Sequence, residues 1–288
     1  MEKYTGWVNE LVDQYNKKQV KVDKSNPIEV AREGFVQRLL RLGTESIKFK
    51  LPLNGMLFDT SDKDTIHSVL VDYVGDELNL PFEKVALEFN ILTQDNKLKP
   101  FIVLAEQFHD VIEILVFNKS ERDKSWVSIR GLHLSINRTT YAVTEKIENG
   151  DKLFDKDADM SELREHINVF TQVSFGALAQ LLAALSCSNI TITDDGVKPS
   201  SVKQTIRKSK GKLPLFTYKV LTVRVGKQAT SSNATSESDE EYVPSGKRAH
   251  IRRGHPRRYK SGLKIWVNAC SVGNTKLGQV EKTYNIKL

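Results

Sequence analysis

Between residues 85 and 136 the chain holds four runs rich in β-branched and aromatic residues: VALEFNIL, FIVLAEQF, VIEILVF and WVSIRGLHLSI. Such residues suit the pleated, half-buried surface of a strand. No helical pattern separates the runs, and strands joined without crossover helices pair antiparallel. A sheet of this kind needs an apolar layer on at least one face. The chain supplies one soon afterwards. Asp159, with Glu162 three residues on, opens a helix like a capping box. Leu163, Ile167, Phe170, Val173, Ala177, Leu178, Leu181, Leu182 and Leu185 then recur at helical spacing. The second half of this helix is apolar nearly all round, the mark of a buried central helix. The expected fold class is therefore α+β: an antiparallel sheet with a buried helix, followed by a small basic β-rich C-terminal module.

Upstream of the sheet, Trp7, Val8, Leu11, Val12 and Tyr15 predict a helix over residues 6–15. A second helix starts at Asn26, with Pro27 at its first position and Glu29 at its third. Its apolar face is Val30, Phe35, Leu39 and Leu40, and Gly43 is the expected stop. Residues 47–53 alternate as a strand that ends near Pro52, and 56–58 read as a short strand. Residues 62–73 fit helix and strand equally.

Charge divides the chain. From residue 196 onward there are 20 Lys and Arg against 5 Asp and Glu, a net +15, whereas residues 1–195 carry −8. The expected organisation is an acidic α+β scaffold domain over 1–195, a basic linker over 196–212 and a basic β-rich module over 213–288. Residues 217–225 of that module are a clear strand, and a Ser/Thr-rich segment at 226–246 with Glu237, Asp239, Glu240 and Glu241 is expected to be disordered. Cys187 and Cys270 form no CxxC and read as reduced thiols. The N-terminus lacks the pattern of a signal peptide. The best apolar run, residues 173–187, is shorter than the about 20 residues of a membrane span. A cytoplasmic protein without a membrane partner is expected.

Residues 247–262, KRAHIRRGHPRRYKSG, hold seven Lys or Arg, two His and no acid. Burying so many unpaired charges is prohibitive, so the segment faces water, phosphate or an acidic protein surface. Arginine matches phosphate bidentately and stacks on bases. The nucleic-acid-binding candidates are Lys247, Arg248, Arg252, Arg253, Arg257, Arg258, Lys260 and Lys264, with Tyr259 and Trp266 as stacking faces. RNA or DNA is the expected partner, and an acidic host protein is the alternative. The runner-up reading of function makes His250 and His255 the general base and acid of a metal-independent ribonuclease beside transition-state-stabilising arginines. Five residues apart, they point to opposite faces of a regular strand. That reading therefore needs a β-bulge at Gly254. His67, His109, His133 and His166 are scattered, and HExxH, HxH, GxxxxGK[ST], GxGxxG and GxSxG are absent. No metal and no cofactor is expected.

The same stretch resembles a known family. Ala249-His250-Ile251-Arg252-Arg253-Gly254-His255, Arg257-Arg258, Ser261-Gly262, Ile265-Trp266-Val267, Val272-Gly273, Gly278 and Lys282-x-Tyr284 are similar to the C-terminal signature of a family of phage- and prophage-encoded proteins. That signature runs A-H-x-R-R-G-H-W-R-R, S-G, W-V, V-G, K-x-Y. Pro256 stands here in place of the aromatic after the second His, which removes one stacking ring. Leu80-Pro81-Phe82 through Glu88 resembles an earlier segment of the same proteins. The resemblance implies a phage or mobile-element origin and carries over no activity or catalytic residue.

Overall fold

A computed structural model describes residues 6–17, 25–51, 69–92, 97–129, 132–147, 160–196, 199–223, 248–252, 255–267, 270–272 and 274–280. The helices are α1 (Trp7–Asn16), α2 (Pro27–Glu45), α3 (Met160–Leu185) and α4 (Ser201–Ser209), with a π-helical turn at Leu70–Val74. The strands are β1 (Ile47–Lys50), β2 (Lys84–Leu92), β3 (Leu98–Phe108), β4 (Val111–Lys119), β5 (Trp126–Val127), β6 (Leu132–Asn137), β7 (Val143–Ile147), β8 (Ile190–Asp194) and β9 (Tyr218–Val223). Five more follow: β10 (Arg248–Arg252), β11 (His255–Arg258), β12 (Lys264–Val267), β13 (Cys270–Val272) and β14 (Asn274–Val280). Asp159, the strand expected at 56–58 and the acidic segment at 226–246 lie outside the described residues.

The architecture is α+β, but its sheet is mixed rather than antiparallel. Nine strands take the order β7-β6-β4-β3-β2-β1-β9-β8, with β5 beside β4. From β2 to β7 the pairing is antiparallel, as the successive runs require. β1 lies parallel to both β2 and β9. The chain between β1 and β2 is long enough for the crossover that a parallel pair needs. β9, expected in the C-terminal module, is hydrogen-bonded between β1 and β8. Residues 201–209, expected as linker, form α4.

Side chains alternate across this sheet and give it two apolar faces. On one, Val85, Leu87, Phe89, Phe101, Val103, Ile112, Ile114 and Val116 pack with Ile167, Phe170, Val173, Leu178 and Leu181 of α3. α3 connects β7 at one edge with β8 at the other. Its stretch Arg164–Leu185 is long and apolar enough to cross a membrane, but 83% of the apolar window is buried, which marks a core helix. On the opposite face, Ala86, Ile102, Leu104, Leu115, Phe117 and Trp126 meet Val8, Leu11, Val12, Leu39 and Leu42 of α1 and α2. Gly43 does not stop α2, which runs on to Glu45. It is buried where the helices cross, and a Cβ there would sit 2.5 Å from Val12 Cγ2.

Two carboxylates stand within the α1–α2 face. Glu106 is 1% exposed and receives both Arg41 guanidinium nitrogens, at 2.7 and 2.6 Å. Glu88 Oε1 accepts the Val8 amide in the first turn of α1 at 2.7 Å and the Tyr218 hydroxyl of β9. Burial pushes the Glu88 carboxyl up to about 8 against those hydrogen bonds. One side chain of β2 thus satisfies an orphan amide of α1 and fixes β9 across the sheet.

Candidate nucleic-acid interface

The basic motif forms two small sheets. β11 and β12 pair antiparallel, with His255 opposite Val267, Pro256 opposite Trp266, Arg257 opposite Ile265 and Arg258 opposite Lys264. Their turn is closed by Tyr259 N donating to Leu263 O at 2.8 Å and Gly262 N to Tyr259 O at 2.9 Å. Gly262 has φ +83, the left-handed region that suits glycine. β10 pairs antiparallel with β13 and parallel with β14, in a separate three-stranded sheet.

The β11–β12 hairpin is tied to the main body through its own backbone groups. Ser188 N donates to Lys264 O at 2.9 Å, Asn189 Nδ2 donates to Trp266 O at 2.9 Å, and Trp266 N donates to Asn189 Oδ1 at 2.6 Å. Ser188 and Asn189 belong to the turn between α3 and β8. On β11 the Tyr73 hydroxyl donates to Pro256 O at 3.1 Å. Burial, with Asp72 adding to it, holds the Tyr73 phenol above its ordinary value, so it stays a donor. Lys264 Nζ donates to Tyr73 O at 2.7 Å. Lys264, expected as a phosphate contact, is therefore occupied as a buttress. Cys187 is free and buried beneath this junction, and burial raises its thiol above the ordinary range.

At the exposed end stand Arg257, Arg258, Tyr259 and Lys260. The Arg257 guanidinium lies over the Tyr259 ring, 5.0 Å from its centroid. Among the described residues, Arg257, Arg258 and Lys260 have no carboxylate partner. Other cations of the basic third are neutralised within the fold. Arg207 pairs with both Asp13 oxygens at 3.0 and 2.9 Å, Lys212 reaches the same Asp13 at 3.3 Å, and Lys219 meets Asp194 at 2.7 Å. Trp266 is half-buried rather than a free stacking face.

The remaining expected residues are placed by strand alone. Arg248, His250 and Arg252 lie on β10, and His255 lies on β11. The two histidines thus belong to strands of different sheets. Lys247, Arg253 and Gly254, with the bulge proposed there, lie outside the described residues. The register of β10 against β14 does shift, but between Arg248 and Ala249.

Sequence reasoning placed Lys203, Lys208 and Lys210 in a basic linker and missed the helix α4. Lys203 and Lys208 on it and Lys210 at its C-cap are exposed beside Val202 and Ile206. The signal was present: Ser200 as N-cap, then apolar residues four apart. The anchors Tyr73 and Asn189 had no local signal.

A protein-family model described as "AcrVA2-like: Anti-CRISPR type V subtype A2 family" matches residues 49–276. The chain belongs to this AcrVA2-like family. The match takes in most of the sheet, α3, α4 and the basic hairpin, and stops short of Gly278, Lys282 and Tyr284. Membership of the AcrVA2-like family supports the phage-encoded origin that the C-terminal motif led us to expect. No curated protein and no solved structure matches the chain.

Proposed function

We propose that this protein is a phage inhibitor of a type V-A CRISPR–Cas system, acting in the cytoplasm of the infected cell and engaging nucleic acid through its basic hairpin. The observation that carries this reading is the exposed group Arg257, Arg258 and Lys260, without carboxylate partners among the described residues, on a hairpin anchored at its base. RNA-guided effectors gather guide RNA and target DNA, so a polyanion is at hand wherever such a system works. Each phosphate contact releases counterions. Log K therefore falls with log salt by roughly 0.9 per contact on duplex DNA and 0.7 on single strands. Replacing Arg257, Arg258 and Lys260 with Ala together should flatten the slope by roughly 2 on single strands and roughly 2.7 on duplex DNA. Fluorescence anisotropy over a salt series measures it. Unchanged affinity and slope in the triple variant would refute the reading.

A second reading is favoured by the family itself. Anti-CRISPR membership makes a CRISPR–Cas effector protein a natural partner, with the same cations meeting acidic side chains. Pull-downs from cells carrying such a system, with and without nuclease, separate the two. Co-purification that survives nuclease treatment supports protein docking, and co-purification that disappears supports the nucleic-acid reading.

A further inference from the structure

A cavity of about 270 Å³ opens where the ends of β2, β3, β4 and β5 meet the N-terminal half of α3. It lies near the opposite end of α3 from Ser188 and the hairpin. Strand pairing builds its floor. Ile91 stands opposite Lys99, and Phe101 opposite Asn118, so all four share the face that α3 covers. The roof comes from α3, where His166, Phe170 and Val173 follow one another at helical spacing. Among the described residues, no acidic side chain lines the cavity.

Among the described residues, two polar groups in this apolar wall lack a partner: the Lys99 ammonium and Asn118 Oδ1. Lys99 is half-buried and has no carboxylate among the described residues. Asn118 is 9% exposed, and its Oδ1 is sealed from solvent without a hydrogen bond. Asn118 lines the cavity, and Nδ2, the other end of its carboxamide, is a donor. A cation and an amide donor at an apolar wall suit an anion, because charge attraction strengthens where water is thinned. An engineered cavity of about 150 Å³ holds benzene, while drug-sized ligands occupy upward of about 300 Å³. This cavity therefore suits one ring with a short arm.

We propose that this cavity binds a small carboxylic acid bearing a single apolar ring. Lys99 Nζ and Asn118 Nδ2 hold the carboxylate, and Phe101, Phe170 and Val173 enclose the ring. A cationic analogue is repelled by Lys99, and a neutral ring leaves both donors unmet. The site is independent of the basic hairpin.

Three probes of matched shape test this on the full chain: 3-phenylpropionate, 3-phenylpropan-1-amine and propylbenzene. Titration is followed by the NMR shifts of the Ile91 and Val173 methyl groups. The carboxylate should move both methyls saturably and bind at least tenfold more tightly than either analogue. Lys99→Met keeps the stem, removes the charge at a half-buried site and should erase that preference. Equal binding of the amine, an undiminished preference in Lys99→Met, or methyl shifts that do not respond to the carboxylate would overturn the proposal.

Discussion

The sharpest consequence of the fold is a pH dependence centred on Glu88. Its carboxyl titrates at about 8 in the folded chain against an ordinary value of 4.5, because burial outweighs the hydrogen bonds from Tyr218 and Val8 and the charge of Lys50, while Glu10 adds to the rise. Between those two values the folded state holds a proton that the unfolded chain has released. Stability contributed by the protonated group is complete below pH 4.5 and is lost as pH rises through 8. The gap corresponds to up to about 5 kcal/mol. Lys48 works over the next window. Burial, opposed by the charge of Glu88, brings its ammonium down to about 8 from 10.5, so stability recovers as pH rises from 8 to 10.5. The wild-type chain should therefore be least stable near pH 8. Glu88→Gln keeps a carbonyl oxygen for both the Val8 amide and the Tyr218 hydroxyl and removes the proton. It should match the wild type below pH 4.5 and exceed it by several kcal/mol, about 3 to 5, near pH 8. Urea unfolding midpoints from about pH 5 to about pH 9 measure this. A wild-type profile flat across that range, or a Gln variant that declines as steeply, would refute the reasoning.

Two further outcomes follow from the packing. Asn189→Ala removes both side-chain hydrogen bonds to Trp266, so the amides of Tyr259, Gly262 and Trp266 should exchange faster while those of β3 and β4 are unchanged. Equal rates in variant and wild type would mean that Ser188 and Tyr73 suffice as anchors. Gly43→Ala places a methyl 2.5 Å from Val12 Cγ2, and overpacking of that kind should cost about 1–3 kcal/mol and lower the melting temperature. Val12→Ala in the same chain should restore part of the loss, and failure to do so would show that the crossing adjusts by other means.

Much of the first face was legible in the chain. The apolar runs at 85–136 became β2 through β6, and the spacing of Ile167, Phe170, Val173 and Leu178 became the buried side of α3. These signals are local, since strand and helix periods repeat within a few residues. The same logic erred where a residue has two uses. Gly43 carries the signature of a helix stop, yet it serves close approach between α1 and α2. Residues 196–212 look like a linker because α4 buries no apolar residue and is held by polar contacts to Asp13 and Leu215. In the candidate interface, sequence showed the cations of residues 247–262. It did not show which of them the fold employs, as with Lys264 on the Tyr73 carbonyl.

By itself the sequence determined the two kinds of element, the burial of α3 and the concentration of positive charge near the C-terminus, because composition and periodicity are properties of short stretches. Tertiary structure alone decided that β9 enters the sheet between β1 and β8, that the sheet is mixed, and that Asn189 and Tyr73 carry the hairpin. It also decided that Glu88 sits on β2 beneath the first turn of α1. Each of these joins segments far apart in the chain through backbone groups or a single side chain. Backbone amides and carbonyls are common to nearly every residue, so their pairing leaves no mark in composition or spacing.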